Sequence, residues 1–330
     1  MRRLQRLGQE VLVRLWRHIE DNSPATRSRW PWTWVGDDRL VKTYGQPLGL
    51  VGRWWSGQEQ RVRRGIDGLW LVVVIGAGKL VVPVDCTVRR PDPEGPGGPC
   101  RDQRTWLQVM LDRTWTALQR RCRRFPPPLV MADSWLGDSG LMAHVATAQR
   151  GTLLVEGNTS QVFHRPDGPR VKGHDWRSRS DWPWRASLHL PGGRDARLTV
   201  SRPTYGVVTV VMVQAPGRER YDLRCRETMM SAPRLIRAWR RRSWIAHHFR
   251  TQKHLLATEA CQVQTEDAYV GPLVLRLLAG LVLLSTARIV LKGQVTMEER
   301  LFSLKQHWRF LDSEPLELPA LSWDLHPQVA

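Results

Sequence analysis

The chain has 330 residues, 42% of them apolar, enough to bury one large core or two smaller ones and too many for a wholly disordered polymer. Its 50 Lys and Arg outweigh 31 Asp and Glu, a formal charge of +19, and most of the excess is arginine. That balance points to a polyanion, nucleic acid before anything else, because guanidinium groups fork onto phosphate and stack on bases.

Residues 1–20, "MRRLQRLGQEVLVRLWRHIE", read as a basic amphipathic helix with no apolar stretch of the signal-peptide kind, and residues 1–30 form an N-terminal helical segment. Residues 21–36 begin as loop and end as strand. From Gly45 to Val88 short apolar runs separated by Gly-containing turns read as a β-meander, with "LWLVVVI" as a strand buried on both faces. The "GAG" of "VVIGAGKLVV" is a hairpin turn and not a phosphate loop, since no helix follows it. "RPDPEGPGGPC" is a Pro/Gly loop. Residues 101–123 have helical periodicity, with Trp106, Val109, Met110, Trp115 and Leu118 on one side.

"PPPLVMADSWLGDSGLMAHVATAQRG" is a strand, a loop and a helix opening near Ser139, with Asp138 as its cap. Residues 31–151 thus form the first part of a core. Residues 152–231 are rich in strands and turns and read as a β insertion. Residues 232–310 return to helix, and 311–330 are a loose Pro-rich tail. The apolar stretch 270–291 is interrupted by Arg276 and Arg288, so it is expected to be a buried core helix and not a membrane span. Cys86, Cys100, Cys122, Cys225 and Cys261 form no C-x-x-C pair and are odd in number, which suits a reducing compartment without disulfides or zinc. The order of elements predicts an α/β fold: an RNase H-like mixed sheet flanked by helices, with a β-rich insertion.

Phosphodiester chemistry by two metals needs carboxylates converging from separate elements. "WTWVGDDRL" puts Asp37 and Asp38 at the end of a Trp/Val strand, and "LVMADSWLGDS" puts Asp133 at the end of another. An Asp in such a place also serves as a turn-former or cap. Asp85 lies inside a strand and is the weaker candidate. The helix "RLIRAWRRRSWIAHHFRTQKHLLA", residues 234–257, is crowded with arginine yet holds no Asp or Glu. Arg237, Arg240, Arg241, Arg242 and Arg250 suit a phosphate-contacting ridge or a solvated surface. In the insertion, Trp176, Trp182 and Trp184 alternate with arginines, as suits either stacking on unpaired bases or a small aromatic core.

These motifs resemble the insertion-sequence DDE transposases of the insertion sequence four family. "DDRLVKTYG" is similar to that family's first motif, DDT…K.G, and "LGLVGRWWSGQ" to its continuation. "VMADSWLGDS" is similar to its second motif. The third, Y-x2-R-x3-E-x6-K, falls on Trp239, Arg242, Ala246 and Lys253, so alanine stands at the position of the glutamate. The resemblance covers roughly residues 20–310. It implies an RNase H-like catalytic domain that binds transposon ends and target DNA, as a homodimer in a bacterial cytoplasm. It also implies strand cleavage and transfer with Mg²⁺ or Mn²⁺, two ions held by Asp37 (or Asp38) and Asp133. Arg242, Lys253, Arg240, Arg241, Trp239 and Trp182 would contact DNA. Arg39 replaces the family's Thr, and the family usually carries a longer N-terminal DNA-binding region than precedes Asp37 here.

A methyl group cannot ligate a metal, so this chain is expected to be impaired in cleavage or to be a DNA-binding derivative without activity. A nuclease of the same fold with another substrate is a third possibility. His247 and His248 suit softer metals than Mg²⁺, and Glu259 faces another direction. A compensating acid would have to come from elsewhere, such as Glu156.

Overall fold

The structure is a computed structural model. It describes residues 6, 8–14 and 16–17, most of 32–246, and residue 249; residues 250–330 and several loops, including 43–49, 76–79, 90–102 and 203–205, lie outside the described residues. The expected core helix 270–291, the tail and Lys253 therefore fall outside them, as do His247, His248 and the proposed cap Asp138.

The described residues form a mixed sheet of parallel and antiparallel strands with helices on both faces, an α/β fold as the sequence predicts. The N-terminal helix α1 (residues 8–14) is followed by β1 (Trp32–Lys42), β2 (Gly52–Ser56), β3 (Arg61–Ile75) and β4 (Leu80–Val88). Helix α2 (Gln103–Arg121), β5 (Leu129–Ala132), α3 (Ser139–Ala148) and β6 (Thr152–Glu156) complete the first half. β3 pairs antiparallel with β1 along one edge and with β2 and then β4 along the other. β5 lies parallel between β1 and β6. The strand order β4-β3-β1-β5-β6 is thus three antiparallel strands joined to a parallel pair.

Strand β3 is central and covered on both faces, which is why it reads as the continuous apolar run "GLWLVVVI". Alternation along β1 splits its neighbours into two cores. Trp32 and Trp34 face α2 and α3, where Leu107, Met110, Leu111, Leu118, Leu141 and Val145 are buried. Val35 faces the other side, with Leu235 and Ile236 of α5 (Ala232–Trp239). The buried stripe of α2 is Leu107, Met110, Leu111, Thr114 and Leu118; Val109, expected on that face, is 44% exposed. The helix phase is rotated because the two larger tryptophans, Trp106 and Trp115, sit half-buried at the margin of the stripe. Trp16 packs edge-on against Trp32 at 5.5 Å, and Glu10 pairs with Arg121, so the N-terminal helix docks on the α2 side. Asp85 is fully buried and takes Arg113 Nε at 2.9 Å, pinning β4 to α2. This pairing makes Asp85 a structural anchor.

The β-rich segment continues the same sheet. β6 pairs antiparallel with β12 (Tyr221–Cys225) on the side away from β5, followed by β11 (Gly206–Gln214) and β10 (Arg194–Arg202). The short strands β7 (Val162–His164), β8 (Arg170–Lys172) and β9 (Arg185–Ala186) fringe β10. The boundary expected at residue 152 falls within a backbone ladder. α4 (Gly173–Ser178) is tied back to the core by Arg177, which donates to Asp222 Oδ1 at 2.8 Å and to the Gly157 carbonyl at 2.6 Å. Arg224 donates to the other Asp222 oxygen at 2.5 Å. Asp222 and Arg224 are buried, and a Cβ on Gly157 would collide with both side chains. Among the described residues Cys86, Cys122 and Cys225 are buried and unbridged.

Gly157→Ala is expected to displace this buried charge network and cost roughly 3 kcal/mol, the magnitude of breaking a buried pair. Urea unfolding of the variant beside the parent checks it; an unchanged midpoint would show that the network relaxes freely.

Candidate metal centre

The two ladders of β1 end at different places. Its parallel pairing with β5 stops at Val35↔Met131, whereas its antiparallel pairing with β3 runs on to Lys42↔Gly65. Asp37 and Asp38 were expected to end a strand; they lie inside β1, opposite Trp70 and Leu69. Among the described residues the edge of β1 toward β5 has no strand partner at that point. β5 itself ends at Ala132, and Asp133 follows it. Asp133 Oδ1 accepts the Leu136 N–H at 2.7 Å and its carbonyl accepts Gly137 N–H at 2.9 Å, closing a tight turn. One carboxylate oxygen from each of Asp37, Asp38 and Asp133 lies within 4.8 Å of the others. Alternation sends Asp37 toward the α5 face and Asp38 toward the α2 face, so the acids reach this point from both sides of one strand.

Burial governs their charge. Asp37 is pushed up to about 6 by desolvation; the neighbouring Asp133 adds to the rise and the Arg242 guanidinium opposes it. Asp38 is pushed up to about 7, again first by burial and then by the charges of Asp67, Asp37 and Asp133. Asp67 sits diagonally across the β1–β3 pair, and Arg89 Nη1 holds it at 2.9 Å. Glu156, which follows Val155 beside Ala132, is also raised, by burial foremost. Arg242 Nη2 approaches Asp37 Oδ1 at 3.3 Å, with its guanidinium 5.4 Å from the Trp239 ring centroid. All the donors in the cluster are carboxylate oxygens, a set that suits Mg²⁺ or Mn²⁺ far better than zinc. Crowded acids half-neutralised by burial also fit a cation, which would remove the mutual repulsion.

The other residues singled out in the sequence divide. α5 does not run unbroken through the basic stretch: it gives way to a 3-10 turn at Arg240–Arg242 before helix resumes at residues 243–246. The turn tips Arg241 inward, where Nη1 donates to Thr33 Oγ1 at 3.2 Å, and Arg242 toward Asp37. Arg240 stays exposed. Successive residues of such a turn point about 120° apart, so the three arginines diverge: Arg240 to solvent, Arg241 to Thr33 and Arg242 to Asp37. Trp239 is half-buried beneath Arg242, orienting it. Ala246 is exposed, one helical turn after Arg242. Three residues further on, Phe249 packs on Trp70 at 5.8 Å and accepts Arg39 Nη1 through its carbonyl at 3.1 Å. Arg39 is engaged by that contact. Trp182 was a candidate for stacking on DNA; it is 5% exposed, and its indole N–H donates to the Trp176 carbonyl at 3.0 Å. Trp176 and Trp182 form the small aromatic core, since the segment between them folds the two rings to 5.3 Å.

Sequence inspection missed Asp67, whose signal was a charge inside an apolar strand, "GIDGLW".

The folded chain binds protons at Asp37 and Asp38 more readily than the unfolded chain. Its metal-free stability is therefore expected to fall as pH rises from about 4 through about 7, and to be lowest above that. Mn²⁺ or Mg²⁺ should raise the melting temperature at pH 8 and have little effect at pH 5, and Asp38→Asn should raise the metal-free melting temperature at pH 8. Thermal melts at the two pH values check all three; a metal effect equal at both would contradict this account.

No family model matches the sequence, and no curated protein does. Among solved structures the chain is similar to a piggyBac transposase, determined by cryo-EM in a synaptic complex with hairpin DNA. The TM-score is 0.48 at 10% sequence identity, over 90% of this chain and 60% of that one. The chain spans about three-fifths of that protein's length.

Proposed function

We propose that the chain is a DNA-binding protein of the DDE transposase kind, built on an RNase H-like sheet, whose strand-cleavage site is impaired because Ala246 stands where a glutamate is needed. The observation that carries this is the meeting of Asp37, Asp38 and Asp133 at the open edge between β1 and β5, under Arg242. The strand order, three antiparallel strands followed by two parallel ones, supports it. So does the charge of +19, which suits a phosphate backbone.

In this reading Asp37, Asp38 and Asp133 hold the metal, two ions in a competent site. When bound there, Mg²⁺ or Mn²⁺ supplies activation of the attacking oxygen and neutralises charge on the leaving one. The chain's own residues position and hold. Asp133 is fixed in orientation by its bond from Leu136 N–H. Arg242 stands ready to exchange Asp37 for a phosphate oxygen. Trp239 limits the rotamers of Arg242, and the exposed Arg240 adds to the phosphate-facing charge. The partners are transposon-end and target DNA, held by a homodimer, and Lys253 belongs to the same basic stretch. Ala246, a turn beyond Arg242, brings no oxygen, so binding is retained and cutting largely lost.

Glu156 supports a second version of the same reading. It leaves β6 beside the point where Asp133 leaves β5, and the charges of Asp133 and Arg242 both act on it. A carboxylate there could take the role of the missing one.

Duplex DNA is expected to bind at low salt and to release steeply as salt rises, in electrophoretic shifts run at several concentrations; no binding at low salt would remove this function. Ala246→Glu is expected to raise Mg²⁺- or Mn²⁺-dependent cleavage of end-containing DNA by at least about a hundredfold over the parent, the order of a lost transition-state charge contact. Asp133→Ala should abolish it. Cleavage by the parent itself, lost in Glu156→Gln, would favour the second version.

A further inference from the structure

We propose that the face of the β2–β3 hairpin carrying Arg53 and Arg64 is a second contact surface, for the backbone of the DNA duplex that leads away from the acid cluster; this rests on the DNA-binding function proposed above. From Arg39 to Ile66 the chain holds six Arg and Lys against one acid, Glu59. The hairpin sorts these charges by face. Trp54 lies opposite Arg63 and Ser56 opposite Arg61, and Glu59 pairs with both of those arginines. On the other face Arg53 lies directly opposite Arg64, and both are exposed. Among the described residues neither has a carboxylate partner. Like charges directly opposed across an antiparallel pair repel. A hairpin that neutralises one face and concentrates repulsion on the other is relieved by an anion, and two guanidinium groups on neighbouring strands suit neighbouring phosphates of one backbone.

Register puts this face on the side of the sheet that Asp37 occupies. Residues directly opposed in a ladder point the same way, and alternate residues of a strand share a face. Asp37 is opposite Trp70; Gly68, Ile66 and Arg64 follow at two-residue steps along β3, and Arg53 is opposite the last of them. Neither ladder is interrupted by a register shift. Val62, the next residue on the same face, is 53% exposed. The six residues from Trp70 to Arg64 span roughly 20 Å of strand, the rise of about six base pairs of duplex DNA. One duplex lying along β3 therefore reaches the acids with one phosphate and Arg53 and Arg64 with others. The spacing is held by backbone, because Gly65 pairs with Lys42 of β1 on one edge and with Gly52 of β2 on the other. Contacts of this kind position a duplex and carry no base preference. A single strand has no fixed rise to match the two points.

The test uses the full chain without divalent metal, a labelled DNA duplex and a single strand of the same sequence, with affinity read by fluorescence anisotropy across a range of salt. The double variant Arg53→Ala/Arg64→Ala should bind the duplex roughly tenfold more weakly at low salt, and its plot of log affinity against log salt should be shallower by about 2, one for each lost phosphate contact. Arg53→Lys/Arg64→Lys should keep most of the slope, since an ammonium also neutralises phosphate. Arg61→Ala/Arg120→Ala removes the same charge from the other face of the hairpin and from α2, and should leave the slope as it is in the parent. Circular dichroism should match in all four proteins. The proposal is overturned if the two alanine pairs weaken binding alike, or if Arg53→Ala/Arg64→Ala binds the duplex as the parent does; either result leaves the DNA-binding function standing. It is also overturned if that variant loses affinity for the single strand and not for the duplex. Failure of the parent to bind the duplex at low salt would remove both.

Discussion

The geometry of the acid site depends on one mismatch of ladder lengths. β1 keeps its antiparallel partner for seven residues after its parallel partner has ended at Val35. Within that stretch one edge of the strand is held rigid while the other is open. Asp37 and Asp38 follow Gly36 in that open stretch, and Asp133 arrives from the strand that has just stopped. Were β5 longer, backbone hydrogen bonds would fill the edge; were β3 shorter, the two acids would sit on a loop and not on a strand. Their convergence is thus a product of register, fixed by the apolar alternation of Trp32, Trp34 and Val35 between the two cores.

The same arrangement is electrostatically expensive. Burial and mutual repulsion raise two of the acids toward neutrality, and Arg242 offsets only part of this at Asp37. Surrounding elements are arranged to tolerate the cost. Asp67, which worsens it at Asp38, is itself held by Arg89, and Arg89 lies over Trp54 at 4.3 Å. The tight turn at Arg240–Arg242 sends Arg242 to Asp37 and Arg241 to Thr33. Sites for polyvalent ligands are commonly strained in this way, since the charge that destabilises the empty site is what binds.

Much of this was legible in the sequence. The buried strand "LWLVVVI", helix α2 and the helix opening at Ser139 follow from periodicity and turn residues, and the pairing of Asp37 and Asp38 with Asp133 follows from their places after apolar runs. What escaped depends on contacts between distant residues. Val109 could not be told from Leu107 or Leu111 by hydropathy, because the helix phase is set by the neighbours it meets. Interleaved Trp and Arg in the insertion fit a clamp or a core equally well; the choice was made by the Trp182–Trp176 hydrogen bond, which closes a local aromatic cluster. The 3-10 turn carries no proline or glycine to announce it.

Strand β6 has a parallel neighbour on one side and an antiparallel neighbour on the other, so the outer strands β12, β11 and β10 are welded to the acid site by continuous backbone hydrogen bonds. A lobe attached through a linker can swing; one attached through a shared strand cannot. The spacing between Asp133 and the outer strands is therefore set by the ladder itself, strand by strand, and not by the bending of any connecting loop.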